Sequence, residues 1–86
     1  MKRTRMNYIT LDGTFKKWLY TINIPDETFG IEYGSFDYWD EATDGDKEYI
    51  NGSLTFEDGE LFAYDGVNAL PDFIIKEIAK HRKINL

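Results

Sequence analysis

One stretch near the C-terminus, Leu70 to Ile84, constrains the fold more than any other. At 100° per residue, Leu70, Ile74, Ile75 and Ile78 fall on one side and Asp72, Lys76, Lys80 and Lys83 on the other. Pro71 suits a first helical turn, where its missing N–H costs nothing. Everything before it reads as short, aromatic-rich strands, for which this apolar stripe is a natural lid. The expected fold class is therefore α+β: an antiparallel, twisted sheet of four to five strands with one C-terminal helix packed across it.

The strands are read from alternation and turn chemistry. Arg5 to Leu11 and Thr14 to Ile24 form two strands around Asp12-Gly13, a two-residue hairpin signal. Pro25-Asp26 ends the second. A third spans Thr28 to Trp39, where the apolar phase changes at Gly34-Ser35; a β-bulge and an ordinary turn both fit. Asp40 to Asp46 is a loop. Lys47 to Glu57 and Glu60 to Tyr64 form a hairpin about Asp58-Gly59, which pairs Phe56 with Leu61 and Leu54 with Ala63.

Eighty-six residues make a single domain, residues 1–86, near the lower size limit for one hydrophobic core. With no cysteine, neither disulfides nor thiolate metal sites can staple it; six Phe, six Tyr and two Trp supply core material instead. The basic start Met-Lys-Arg-Thr-Arg does not lead into a continuous apolar segment, and no run of apolar residues is long enough to cross a membrane. A soluble, cytoplasmic chain is expected.

Charge is segregated. Residues 1–17 carry five Lys/Arg against Asp12; residues 18–75 carry fourteen Asp/Glu against Lys47 alone; residues 76–86 carry four Lys/Arg against Glu77. Such segregation sets up a field that steers partners.

Chemistry-bearing constellations are few. Asp40, Asp44, Asp46 and Glu48 surround Gly45 in a way that resembles a calcium loop, but Ala42 stands at one ligand position and Asn51 where the bidentate Glu belongs. No metal is expected. His81, the one imidazole, is read as half-packed on the core and favoured by the helix dipole. Only Ser35 and Ser53 are serines, and phosphate loops and dinucleotide fingerprints are absent, so neither catalytic residues nor a cofactor are expected. Lys2, Arg3 and Arg5 could join Lys76, Lys80, Arg82 and Lys83 in a basic patch, but the aromatic strands are acidic and direct nucleic-acid binding is not expected.

The strongest candidate is the acidic, aromatic centre: Asp37, Tyr38, Trp39, Asp40, Glu41, Asp44, Asp46 and Glu48. Tyr and Trp are typical interface anchors, and carboxylates around them raise the on-rate for a basic partner. Carboxylates along strands and loops also imitate a line of phosphates. Two readings of Tyr38 and Trp39 stay open, as interface anchors or as core.

The run Tyr64 to Ile75, strand then Asp-Gly-Val, Leu-Pro and amphipathic helix, looks like a closing phrase of small uncharacterised bacterial and phage proteins. In size, acidity and lack of catalytic residues the chain also resembles phage-encoded inhibitors of host defence of the anti-CRISPR and anti-restriction type, several of which are nucleic-acid mimics. That resemblance implies a non-enzymatic inhibitor whose partner is a basic nucleic-acid-binding protein, such as a host defence nuclease. The alternative is a small structural or interaction domain, monomeric or a homodimer, without mimicry.

Overall fold

A computed structural model describes residues 7–43, 46, 48–66 and 70–86. Among them six strands run in chain order across one sheet: β1 Tyr8–Phe15, β2 Trp18–Pro25, β3 Ile31–Asp40, β4 Tyr49–Glu57, β5 Glu60–Gly66 and β6 Lys83–Ile84. Neighbours are antiparallel from β1 to β5, and β6 joins β5 in parallel. A 3-10 turn, Glu41–Thr43, follows β3, and one helix, α1 Asp72–Ala79, precedes β6. The expectation of an α+β fold with four to five strands is corrected: the chain is mostly β, a curled half-barrel sheet of six strands with one short helix.

The missing strand and the excess helix have one cause. The helical stripe extends in sequence to Ile84, but α1 ends at Ala79 and the chain turns through Lys80 to Arg82. Lys83 and Ile84 then pair with Glu60 and Leu61, and the Asn85 N–H donates to the Leu61 carbonyl at 2.7 Å. Open backbone groups on the edge of β5 outcompete helix propagation at the chain end. Arg82 secures the turn by donating from Nη2 to the Pro25 and Asp26 carbonyls at 3.2 and 3.4 Å. His81 is exposed within this turn instead of half-packed on the core. Pro71 sits one position before the helix, at the N-cap, with extended ψ of 155°.

Side chains alternate, so the in-register ladders from β1 to β4 give the sheet two faces. Ile22, Ile24, Phe36, Tyr38, Leu54 and Phe56 point to one side and are buried there together with Leu61, Leu70, Ile74 and Ile78. The Tyr38 ring is a hub: Trp18 and Phe73 meet it edge-on at 5.2 and 5.4 Å between centroids, and Phe36 lies at 6.3 Å. T-shaped contacts of this kind suit the ring quadrupole.

Three turn expectations also change. Asp12-Gly13 lies inside β1, and the hairpin turns at Lys16-Lys17, where Lys16 has a φ of 54°. Gly13 is there for room: a Cβ would sit 2.6 Å from Cζ of Tyr20 on the neighbouring strand. At Gly34-Ser35 there is neither bulge nor turn. The β3–β4 ladder runs unbroken from Ile31 opposite Glu57 to Trp39 opposite Tyr49, so Ile31 and Tyr33 face away from the core. At Asp58-Gly59, positive φ at both residues makes the expected hairpin and Phe56 pairs with Leu61, but a bulge at Phe62 then sets Leu54 opposite Tyr64 rather than Ala63.

Ile78→Ala should cost about 2–5 kcal/mol, because Ile78 is fully enclosed and its removal leaves a cavity between α1 and the sheet. Urea melts measure this, and a loss below about 1 kcal/mol would show that the site collapses to fill the space.

Candidate functional site

The face of the sheet turned away from the core is built from the alternate residues of the same strands. Across β1 to β4 it reads in rows: Asp12, Thr21, Asp37 and Asn51 stand opposite one another in turn, as do Thr10, Asn23, Ser35 and Ser53. Thr14, Leu19, Trp39 and Tyr49 form a third row. Side-chain hydrogen bonds run along the rows. Thr21 donates to Asp12 at 2.9 Å, Thr10 to Asn23 at 2.8 Å, and Asn23 Nδ2 to Ser35 at 3.1 Å. Asp37 accepts from the Tyr49 hydroxyl at 2.6 Å, and the Tyr49 ring stacks on Trp39 at 5.9 Å.

This open face carries carboxylates, hydroxyls, amides and aromatic rings, and no Lys or Arg of β1 to β5 projects from it. Two shallow depressions cross it and meet at Thr21. One is bordered by Asp12, Thr14 and Trp39, the other by Asn23, Asp37 and Asn51. Each of Asp12 and Asp37 uses one oxygen in the hydrogen bonds given above, which leaves acceptor capacity for a docking group.

The structure separates the eight residues singled out in the sequence. Asp37 and Trp39 are brought together on the open face. Tyr38, between them in the chain, points the other way, is 6% exposed and belongs to the core. Asp40 and Glu48 lie at one end of the sheet around Lys17, whose Nζ is 3.0 Å from Glu48 and 3.8 Å from Asp40. Lys17 also lies 4.6 Å from the Trp18 ring centroid. Its pKa is raised, first by the hydrogen bond to Glu48. Glu41 is exposed and its N–H donates to the Lys17 carbonyl at 2.7 Å. Asp46 is exposed, with its N–H donating to the Thr43 carbonyl at 3.0 Å. Asp44 and Gly45 lie outside the described residues, and so does the comparison of that loop with a calcium site. Lys2, Arg3 and Arg5 of the alternative basic patch lie outside them too. In the rest of that patch, Lys80 is paired with Glu77 at 2.8 Å and Arg82 is turned to backbone carbonyls.

Asp12, Thr21, Tyr49 and Asn51 are the additions. Asp12 escaped notice because Asp-Gly is a strong turn signal and because the residue sits in the basic N-terminal segment. The available signal was register: once Asp12 is in a strand, its alternation with Ile9 and Leu11 places it on the polar side.

Comparison with protein-family models, curated proteins and solved structures finds no match to the chain. Among the described residues no helix is long and apolar enough to cross a membrane.

Three tyrosines bind their protons more tightly in the fold. Burial raises the pKa of Tyr20 and of Tyr38, and the hydrogen bond to Asp37 raises that of Tyr49. Above pH of about 10 an unfolded tyrosine loses its proton while these keep theirs, so the native state holds more protons. Stability from this source is complete below that pH and is lost as pH rises through the folded values. Alkaline urea melts should show the decline, and Tyr38→Phe should make it shallower; an unchanged slope in that variant would remove Tyr38 from the account.

Proposed function

We propose that this protein is a non-enzymatic, acidic binding protein of the cytoplasm that lays its open sheet face on a basic nucleic-acid-binding protein and inhibits it by occupying the nucleic-acid groove. The observation that carries the reading is the one-sided charge of that face: Asp12 and Asp37 project from it in the row next to the stacked rings of Trp39 and Tyr49, and Asp65 of β5 one row further, opposite Ser53, without a cation from the same strands. Lys16 and Lys17 stand at the β1–β2 turn, while Lys76, Lys80 and Lys83 belong to α1 and the C-terminal segment. A basic groove meets carboxylates without first displacing a competing ammonium, and an aromatic pair gives it an apolar contact.

The acidic end at Asp40 and Glu48 contributes less than its sequence suggests, because Lys17 already neutralises part of it. A second reading, an interaction domain without mimicry, is favoured by Phe29, just before β3, and by Ile31 and Tyr33 at its start, which are 84%, 46% and 60% exposed.

Charge and rings make different kinetic contributions. Reversal of Asp12 and Asp37 to Lys should lower the on-rate for the partner, with an effect that shrinks as salt screens the field. Trp39→Ala should raise the off-rate by the equivalent of about 2 kcal/mol if the ring is a hot spot. A partner captured from bacterial lysate at low salt, then followed by gel shift, decides between the readings. Release of its DNA or RNA on addition of this protein supports groove occupation. Simultaneous binding of both with unchanged affinities eliminates mimicry and leaves the interaction domain.

A further inference from the structure

β1 lies at one end of the strand order, so one of its sides meets β2 and the other meets no described strand. Which groups face outward follows from the ladder. The Asp26 N–H donates to the Asn7 carbonyl at 3.0 Å, and the β1–β2 register continues that pairing through Ile9 with Ile24, Leu11 with Ile22, Gly13 with Tyr20 and Phe15 with Trp18. Antiparallel ladders alternate, so the odd-numbered residues direct N–H and C=O to β2. The N–H and C=O groups of Tyr8, Thr10, Asp12 and Thr14 therefore point away from the sheet. Pro25 agrees with this phase: it stands opposite Tyr8, a position that needs no N–H toward β1.

Exposed edges in monomeric β-proteins are normally blunted by proline, lysine, a bulge or a covering element. Among the described residues β1 has none of these: its sequence is Tyr-Ile-Thr-Leu-Asp-Gly-Thr-Phe, it pairs with β2 without a register shift, and its one charge, Asp12, lies on the open face. The opposite end of the sheet differs, being closed by the two-residue β6 that includes Lys83.

We infer that the protein forms a two-fold homodimer by antiparallel pairing of β1 with β1 of a second copy, with Leu11 opposite Leu11. A two-fold axis relating antiparallel edges stands perpendicular to the sheet, so core faces align with core faces and the pairing centres on a residue. Centring on Leu11 sets Tyr8 opposite Thr14 and Thr10 opposite Asp12, twice each. This engages all four outward-facing residues of each copy in hydrogen-bonded pairs. Centring on Thr10 leaves Thr14 without a β1 partner, and centring on Asp12 sets the two carboxylates face to face, which is unfavourable.

The side chains agree with the Leu11 register. Thr10 meets Asp12 as Thr21 already does across β2. On the core side, Leu11 meets its counterpart, and Ile9 stands opposite Gly13, which the Tyr20 ring of the same copy already covers; both Ile9 and Leu11 are only half-buried in one copy and border the core. The resulting sheet runs through both copies and doubles the open face.

Each chain carries a net charge of −6, so the two copies repel and added salt tightens the dimer. Salt weakens the acidic face's grip on a basic partner, so the two associations respond with opposite sign and either can fail without the other.

Register is testable because the chain has no cysteine of its own. Leu11 would face Leu11 in a non-hydrogen-bonded pair, where Cα atoms lie about 4.5 Å apart, within disulfide reach. Under mild oxidation Leu11→Cys should form a covalent dimer at least about tenfold faster than Ile9→Cys, whose counterpart lies diagonally across the axis. Sedimentation of the unmodified protein should give twice the 10.1 kDa chain mass, with a dissociation constant that falls as salt rises. Amide exchange should show Tyr8, Thr10, Asp12 and Thr14 protected in proportion to the dimer present. Thr10→Pro removes an outward N–H without touching the β1–β2 ladder, and should sediment as a folded monomer. A wild-type chain that stays monomeric up to millimolar concentration in high salt overturns the proposal. So does cross-linking of Ile9→Cys as fast as Leu11→Cys.

Discussion

A pleat that keeps step from β1 to β4 is the constraint on which the rest of the molecule depends. Slippage by one residue at any of these ladders would exchange the core face of a strand for its open face. The step is kept by matched contacts at the strand crossings. Gly52 leaves room for the Phe36 ring, and Gly34 accepts the Pro25 ring and the edge of Phe56. Gly13 does the same for Tyr20. With those three positions empty of side chain, the large rings lie flat enough on the curled sheet for Phe73, Ile74 and Ile78 of α1 to reach them.

The same constraint explains what could be read from the chain and what could not. Asp58-Gly59 was legible because turn residues and flanking apolar pattern pointed to the same hairpin. Asp12-Gly13 has the same two letters with a different physical role, close approach to Tyr20, and only the neighbouring strand reveals it. Ile31 and Tyr33 are apolar, and a pattern that sends apolar residues inward must invent a bulge at Gly34 to place them. In the fold they simply face outward. The last turn of the amphipathic stripe failed for a related reason: periodicity is local, whereas the free edge of β5 that captures Lys83 and Ile84 is brought there by tertiary structure.

For the candidate site, charge segregation pointed to β3 but not to the residues that the fold sets beside it. Asp37 and Trp39 were legible as part of an acidic, aromatic run. Tyr38 was inseparable from them in sequence because alternation decides its direction only after the register is known. Lys17 belonged to the basic N-terminal block when counted along the chain. Folded, it stands between Asp40 and Glu48 as their counter-ion, so part of the charge that the sequence concentrates there is compensated. The open face gains relative weight in consequence.

Separation of the two faces also divides how the chain can change over generations. Side chains on the core face are locked to one another by ring contacts and by glycines that admit no Cβ, so a substitution there propagates through several strands. Those on the open face touch mainly their row neighbours, and most could be replaced by another strand-compatible residue at small cost. The scaffold is thus conservative on one side and rewritable on the other. A lineage could rewrite such a surface, one row at a time, without ever passing through an unfolded ancestor.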